Sequence, residues 1–442
     1  MAHDEGSRAG FVRGLSLLGA VALIVGNMVG TSIYTLPASL AKEVGPLGLF
    51  AWGLTAAGYL FVAIVYARLG TRFPRTGGPY VYAREAFGDF TGFQTVWMYW
   101  LSATIGNAAI AQAVVAYVAG FSSALDHSPT GQFLLAQAML WILCGVNVLG
   151  VKHGARLQIV ILFVNLIPLS LIALLLLGSF DSRNLVPLAP HGWSALPYGM
   201  TLVVWAYSGI ESATVPAEEV DAPERTIRRG TMIGYVVATG VLLLTALAVA
   251  GAVPNDVVAA ESARPIAAAA EMRIGPWAGW AIAVAAIVAG LGTLNGWVLM
   301  AGRIPVSAAS DGLFFPRLAR LHPRFGTPAT SLVVGSVVAS AMLFLVLGRS
   351  LLDAFNTIVQ LALLTTLLPH LAACVADFAL YRRDRARGVA TAGRGIAATS
   401  LIATAFVLLT IAGLDPWIWA FGVGVFVAGI PLYAWLRARP RG

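Results

Sequence analysis

Two stretches decide how this chain is read: Gly26-Asn27-Met28-Val29-Gly30-Thr31-Ser32 and Trp205-Ala206-Tyr207-Ser208-Gly209-Ile210-Glu211-Ser212. Each sits in the middle of an otherwise apolar block and breaks it with glycines and small polar residues; the second adds a carboxylate. Backbone that leaves helical geometry at membrane depth must find other hydrogen-bond partners, so such breaks occur where protein or a ligand-holding cavity surrounds them. The ends of the broken halves expose N–H groups with positive dipole ends, suited to a carboxylate, and carbonyls, suited to an ammonium. Together they describe a receptor for the α-groups of an amino acid. Glycine also serves close packing in membrane helices, as in Gly26-x-x-x-Gly30. The pairing with a polar, Glu-bearing break elsewhere favours a binding site.

The surrounding composition makes the blocks membrane spans. Of 442 residues, 58% are hydrophobic and 11% charged, against about 25% charged in a soluble protein; the mean hydropathy is +0.81. Spans are expected near 12–40, 46–70, 86–121, 132–150, 155–178, 196–219, 228–252, 278–310, 328–347, 351–381, 396–413 and 416–437, each able to cross about 30 Å of hydrocarbon. The breaks then fall in the first and sixth spans, five apart, as an inverted repeat with a midplane site requires. The expected organisation is one membrane domain over 1–442, with repeats at 1–178 and 196–381 and two additional helices at 396–437. An interfacial helix is expected within Ala263 to Met272.

The net charge of +8 is not a nucleic-acid footprint. Arginine and lysine cluster at alternate connections, as at Arg68, Arg72, Arg75 and Arg84 or Arg225, Arg228 and Arg229, the positive-inside distribution. Both termini are expected on the cytoplasmic side of a bacterial inner membrane. The polar start with Asp4, Glu5 and Arg8 reads as no cleavable leader. Cys144 and Cys374 each lie in apolar blocks, with neither disulfide nor metal spacing. No phosphate loop, nucleophile elbow or metal-ligand cluster speaks for an enzyme, and no cofactor or metal is expected.

Four stretches resemble the amino acid–polyamine–organocation transporters: residues 26–37; Arg75-Thr76-Gly77-Gly78-Pro79-Tyr80 with Gly88 and Gly92; Ser208 to Ser212 with Glu218-Glu219-Val220-Asp221-Ala222-Pro223; and Ser310-Asp311-Gly312-Leu313-Phe314 with Gly326-Thr327-Pro328. Within the family the pattern is most similar to the arginine/agmatine exchangers. The resemblance implies an all-α, LeuT-like fold of about twelve spans, with a five-plus-five inverted repeat, and sodium-independent exchange. It implies that Met28, Thr31 and Ser32 receive the substrate carboxylate, with Asn27 and Gly30 also in the substrate site, and that carbonyls at Trp205 and Ser208 receive the α-ammonium. Asn107 would bond the distal group and Trp297 stack on it, a cation–π contact of about 0.5–2 kcal/mol. Ser102, Ala103, Ile110 and Ala362 would line the distal pocket, where residues differ from the arginine exchangers. Tyr99, Glu211 and His370 would gate or couple. Ser32 stands where the family break carries glycine, and Asn165 near where some relatives place a lysine.

An intramembrane carboxylate is costly, so Glu211 is a coupling candidate by default; a hydrogen bond joining the broken helix to its neighbours is the plainer role. His370 has the plainer reading of a packed ring. Glu218, Glu219 and Asp221 are expected to latch onto Arg225, Arg228 or Arg229. The expected partners are a small amino acid or amine and the lipid bilayer, with no nucleic acid and with a homodimer left open. A small neutral amino acid remains the alternative substrate, and a non-transporting channel or sensor the alternative class.

Overall fold

The computed structural model describes residues 14–150, 154–260, 264–389 and 393–438. Ten helices in it are long and apolar enough to cross a membrane. The first span, Leu17–Glu43, contains the first break; the others are Gly45–Arg72, Asp89–Ala119, Pro129–Leu149, Gln158–Leu177, Pro223–Ala252, Pro276–Ser310, Leu351–Ala386, Gly395–Ala412 and Pro416–Ala438. Two further segments complete the expected order. Ala329–Leu345 is the short ninth span, and the sixth is the helix Leu196–Tyr207 followed by turns.

Local chemistry sets the boundaries. Ser16 caps the first helix by accepting from the Gly19 N–H at 3.3 Å, which satisfies one of the orphan donors of a helix start. Helix Leu17–Val29 stops at Gly30, and the second half runs Ser32–Glu43. Several boundaries differ from the expected ones. The third span begins at Asp89, because Gly88 takes φ 89° and separates it from a short helix, Pro79–Phe87. The seventh begins at Pro223, a residue whose fixed φ suits a first helical position, and the tenth runs on to Ala386. The sixth is the largest correction. Its helix ends at Tyr207, and residues 209–216 are turns before a single 3-10 turn at Ala217–Glu219. Outside the spans, Pro265–Arg273 forms the expected alanine-rich helix, while residues 261–263 lie outside the described ones.

Burial sorts the spans into an inner and an outer set. The apolar windows of the first and third spans are 83% and 89% buried within the protein, that of the twelfth only 17%. The first, third, eighth and tenth spans therefore build the centre, with the third packed along the tenth and eighth. The fourth, fifth, eleventh and twelfth turn large apolar side chains outward, such as Ile142, Ile167, Leu401 and Val423, as a hydrocarbon surround requires. Cys144 and Cys374 are buried and unpaired.

Candidate functional site

The two breaks meet at the centre of the protein. Gly209 has φ 113°, a conformation that side-chain-bearing residues avoid, and a Cβ placed there would come within 2.7 Å of Asn27 Cβ and 3.4 Å of the Met28 nitrogen. The backbone of the sixth span thus lies directly on that of the first. Asn27 Nδ2 donates to Ser212 Oγ at 2.8 Å and ties the breaks together. Gly30 makes the corresponding approach to the eighth span: a Cβ there would fall inside the Thr293 side chain. The Thr293 hydroxyl donates to the Gly26 carbonyl at 3.0 Å. Gly296, one turn further along the eighth span, faces Asn27 Oδ1.

Ser32 is not a strained stand-in for glycine. It is the first residue of the second half-helix, and its hydroxyl donates back to the Met28 carbonyl at 2.8 Å, closing the break from within. A helix that starts at this point leaves its first N–H groups without intrahelical acceptors. Met28, Thr31 and Ser32 are buried.

The third span supplies the opposite wall. The Trp205 ring lies over Gly106, where a Cβ would approach its Cη2 to 2.9 Å. Asn107, next in sequence, is 2% exposed, and its Oδ1 has no hydrogen-bond partner; the same holds for Asn27 Oδ1. Ser102 and Thr366 share a short hydroxyl contact between the third and tenth spans. The Ser208 hydroxyl donates to Val204 O at 3.4 Å. Ala103, Ile110 and Ala362 are buried and offer only apolar surface, and Trp297 is buried on the eighth span.

Glu211 stands behind the sixth-span break, fully buried. Its Oε1 accepts from the Tyr99 hydroxyl at 2.9 Å, and its Oε2 from the Gly209 N–H at 3.1 Å. His370 Nε2 lies 3.7 Å from Oε2 and makes no hydrogen bond. On its other side His370 Nδ1 is 3.4 Å from the Tyr66 hydroxyl, and the ring sits edge-on to Tyr59 and Tyr66. Glu211 therefore joins the break to the third span and also faces the His370 imidazole. His370 is not the fully satisfied packed ring of the plainer reading.

The expected latch is built differently. Glu219 pairs with Arg303 of the eighth span at 3.2 Å, and Glu218 accepts from the Thr76 hydroxyl at 2.9 Å; neither meets Arg225, Arg228 or Arg229. The Asp221 carbonyl accepts from Thr226 Oγ1. The reason is direction: Pro223 starts a helix on which the three arginines are exposed, while Glu218 and Glu219 in the turn before it are half-buried. Asn165 accepts from the Tyr34 hydroxyl at 2.6 Å and links the fifth span to the first.

Thr293, Tyr59 and Tyr66 were not singled out from the sequence. Thr293 precedes Trp297 by one helical turn, and Tyr59 and Tyr66 are seven apart, so each lies on a common helix face with its neighbour in function; that spacing is the signal that could have found them.

The amino acid permease family model matches residues 15–431. The chain belongs to the amino acid permease family. A cadaverine/lysine antiporter of Escherichia coli strain K12 is 32% identical over 375 residues, covering 82% of each chain. A putative arginine/ornithine antiporter of Bacillus subtilis strain 168 is 27% identical over 449 residues, covering 93% of this permease and 94% of that protein. Its counterpart in Escherichia coli strain K12 is 28% identical over 370 residues.

Proposed function

We propose that this permease is a sodium-independent exchanger of a cationic amino acid for its amine product or a second cationic amino acid. The observation that carries the reading is the pair of buried acceptors Asn27 Oδ1, at the first-span break, and Asn107 Oδ1, on the third span, neither with a hydrogen-bond donor. A buried acceptor left unpaired costs about 1–3 kcal/mol, and an ammonium brings three donors and no acceptor. The similarity to cadaverine/lysine and arginine/ornithine antiporters supports the same substrate charge.

In this reading the substrate carboxylate meets the first N–H groups of the Ser32 half-helix, and the α-ammonium the carbonyl end of the Leu196–Tyr207 helix. Asn107 receives the distal cationic group, with Trp205 and Trp297 beside it. Gly26, Gly30 and Gly209 let the backbones close around the ligand. The first and sixth spans occupy corresponding places in two inverted repeats, 1–178 and 196–381. Glu211 and His370 sense occupancy of the site through the Gly209 N–H. The arginine-rich ends of the spans, and both termini, face the cytoplasm.

Proteoliposomes test this directly. Uptake of labelled lysine, arginine or ornithine should saturate, rise at least about tenfold when the lumen holds a cationic amino acid or diamine, and ignore sodium. Equal stimulation by luminal alanine or leucine would move the substrate to the neutral class. Uptake without stimulation by any luminal substrate would favour a channel.

A further inference from the structure

With Glu219 taken by Arg303, the arginines that open the seventh span are left over. Arg225, Arg228 and Arg229 are exposed, and among the described residues no carboxylate pairs with them. Arg228 lines a cavity of about 920 Å³ between the second, seventh, tenth and eleventh spans. That volume lies within the range of small-molecule sites, roughly 300–1,000 Å³. A recess of about 560 Å³ shares Thr71 and Arg228 with it and adds Glu224, Arg225 and Arg229.

Two of the three carboxylates of this notch are paired elsewhere; the third, Glu224, lies in the recess with Arg225, Arg228 and Arg229 and, among the described residues, makes no ion pair with them. Asp377 is gripped by Arg68, whose Nε donates at 2.9 Å, and by the Ser400 hydroxyl at 2.5 Å. Asp384 takes both terminal nitrogens of Arg72 at 2.5 and 3.0 Å. Over the two recesses, five arginines face three carboxylates, an excess of two positive charges. Below the charged rim the lining turns apolar at Ile64, Ala67, Met232 and Ile396. Arg228, Met232 and Val236 are four apart and share one helix face, and that side of the seventh span continues into Ile233, Val236 and Val237, which are 43%, 62% and 37% exposed.

We propose that this notch binds an anionic phospholipid, its phosphodiester against Arg228 and Arg229 and its acyl chains along the exposed face of the seventh span. A free phosphate needs only the cations. The apolar floor opening onto a bilayer-facing helix suits a ligand that carries hydrocarbon below its charge. A zwitterionic headgroup brings its own cation and gains less from a rim already in positive excess. Basic recesses between transmembrane helices on the positive side of the membrane are suited to such headgroups.

Native mass spectrometry of the detergent-purified full chain reads binding without reference to transport, so its outcome is separate from the exchange reading. With phosphatidylglycerol and phosphatidylcholine of matched acyl chains, the wild type should retain phosphatidylglycerol selectively. Arg228→Gln with Arg229→Gln should weaken that retention about 25-fold, taking roughly 1 kcal/mol, or fivefold, per cation. Arg382→Gln with Arg385→Gln, exposed charges at the end of the tenth span outside the notch, should leave it unchanged. A shared loss in both variants would reduce the effect to general surface charge and overturn the site. Equal retention of the two lipids by the wild type would overturn the proposal, as would protection from unfolding by millimolar inorganic phosphate equal to that by phosphatidylglycerol. Arg228→Lys with Arg229→Lys, which keeps the charge, should restore selectivity if the glutamine variant is poorly folded.

Discussion

Single residues at the breaks divide into those that backbone geometry demands and those it merely permits. Gly209 belongs to the first kind, with φ 113° and Asn27 packed where a Cβ would stand. Gly209→Ala should cost about 1–3 kcal/mol from overpacking alone, seen as a lower melting temperature, and exchange should be lost with it. Ser32 belongs to the second kind. Ser32→Gly gives up one hydroxyl bond to the Met28 carbonyl, worth about 0.5–1.5 kcal/mol, and should fold and transport. Complete loss of transport in a folded Ser32→Gly protein would make the hydroxyl a direct substrate ligand. Glu211 calls for a different measurement. The groups facing it are the Tyr99 hydroxyl, the Gly209 N–H and His370, with the Tyr66 hydroxyl beyond on the second span. Glu211→Gln keeps an acceptor for Tyr99 and removes the one carboxylate. Labelled-substrate counterflow across a pH series should then lose the wild-type response while binding persists. Overlaying profiles would leave Glu211 as the tie between the sixth and third spans and nothing more.

Among the elements, the sixth span shows what sequence can and cannot say. Its break was legible because Ser208-Gly209 interrupts an apolar run and Glu211 follows. That the second half would not resume as a helix was only partly legible: Pro216 and the β-branched Ile210, Thr214 and Val215 weigh against one, but the turns themselves depend on contacts with the first span, such as Ser212 with Asn27. The same holds for the latch. Charge counting put Glu218 and Glu219 beside the arginines nearest in sequence, whereas Glu219 reaches Arg303, more than eighty residues on. A long-range pair of this kind leaves no local trace. Glu219→Gln should loosen the sixth span from the eighth on the arginine-rich side. Both partners are partly buried, and the loss should be about 1–3 kcal/mol. A cysteine introduced at Thr76 should label faster in the variant than in its absence. Unchanged labelling would make the pair ornamental to opening.

Across the whole molecule, the count and order of spans follow from composition, because hydrocarbon leaves the chain few options. Which spans are inner does not, since the first and twelfth have equal mean hydropathy, 1.7, and opposite burial. The twelfth is a peripheral rail held at a few points. Trp97 Nε1 and Gln94 Nε2 donate to its Val425 and Phe426 carbonyls, at 3.0 and 3.2 Å, and Gly422 lies against Leu364. Gly422→Val should therefore lower the melting temperature by displacing the rail, at about 1–3 kcal/mol, and leave the substrate preference of exchange as it was. A changed preference would place the twelfth span nearer the transport path than its burial suggests.

One small feature links these scales. Leu15 and Val220 form an isolated parallel bridge, in which the Gly14 and Leu15 N–H groups donate to the Glu219 carbonyl and Asp221 N–H to the Leu15 carbonyl, all at 3.0 Å. The start of the first span is thus stitched to the exit of the sixth by main-chain bonds, with Leu15 packed on Ala217, Val220 and Ile227 beside them. Three such bonds, at about 0.5–1.5 kcal/mol net each, would hold the unstitched form to somewhere between one molecule in ten and one in two thousand, on the order of the minor populations from which conformational switching draws. Because any residue except proline can supply a peptide N–H, this seam survives substitutions that would erase a salt bridge. Drift in side chains can retune what the protein carries while the resting odds of the seam stay nearly fixed.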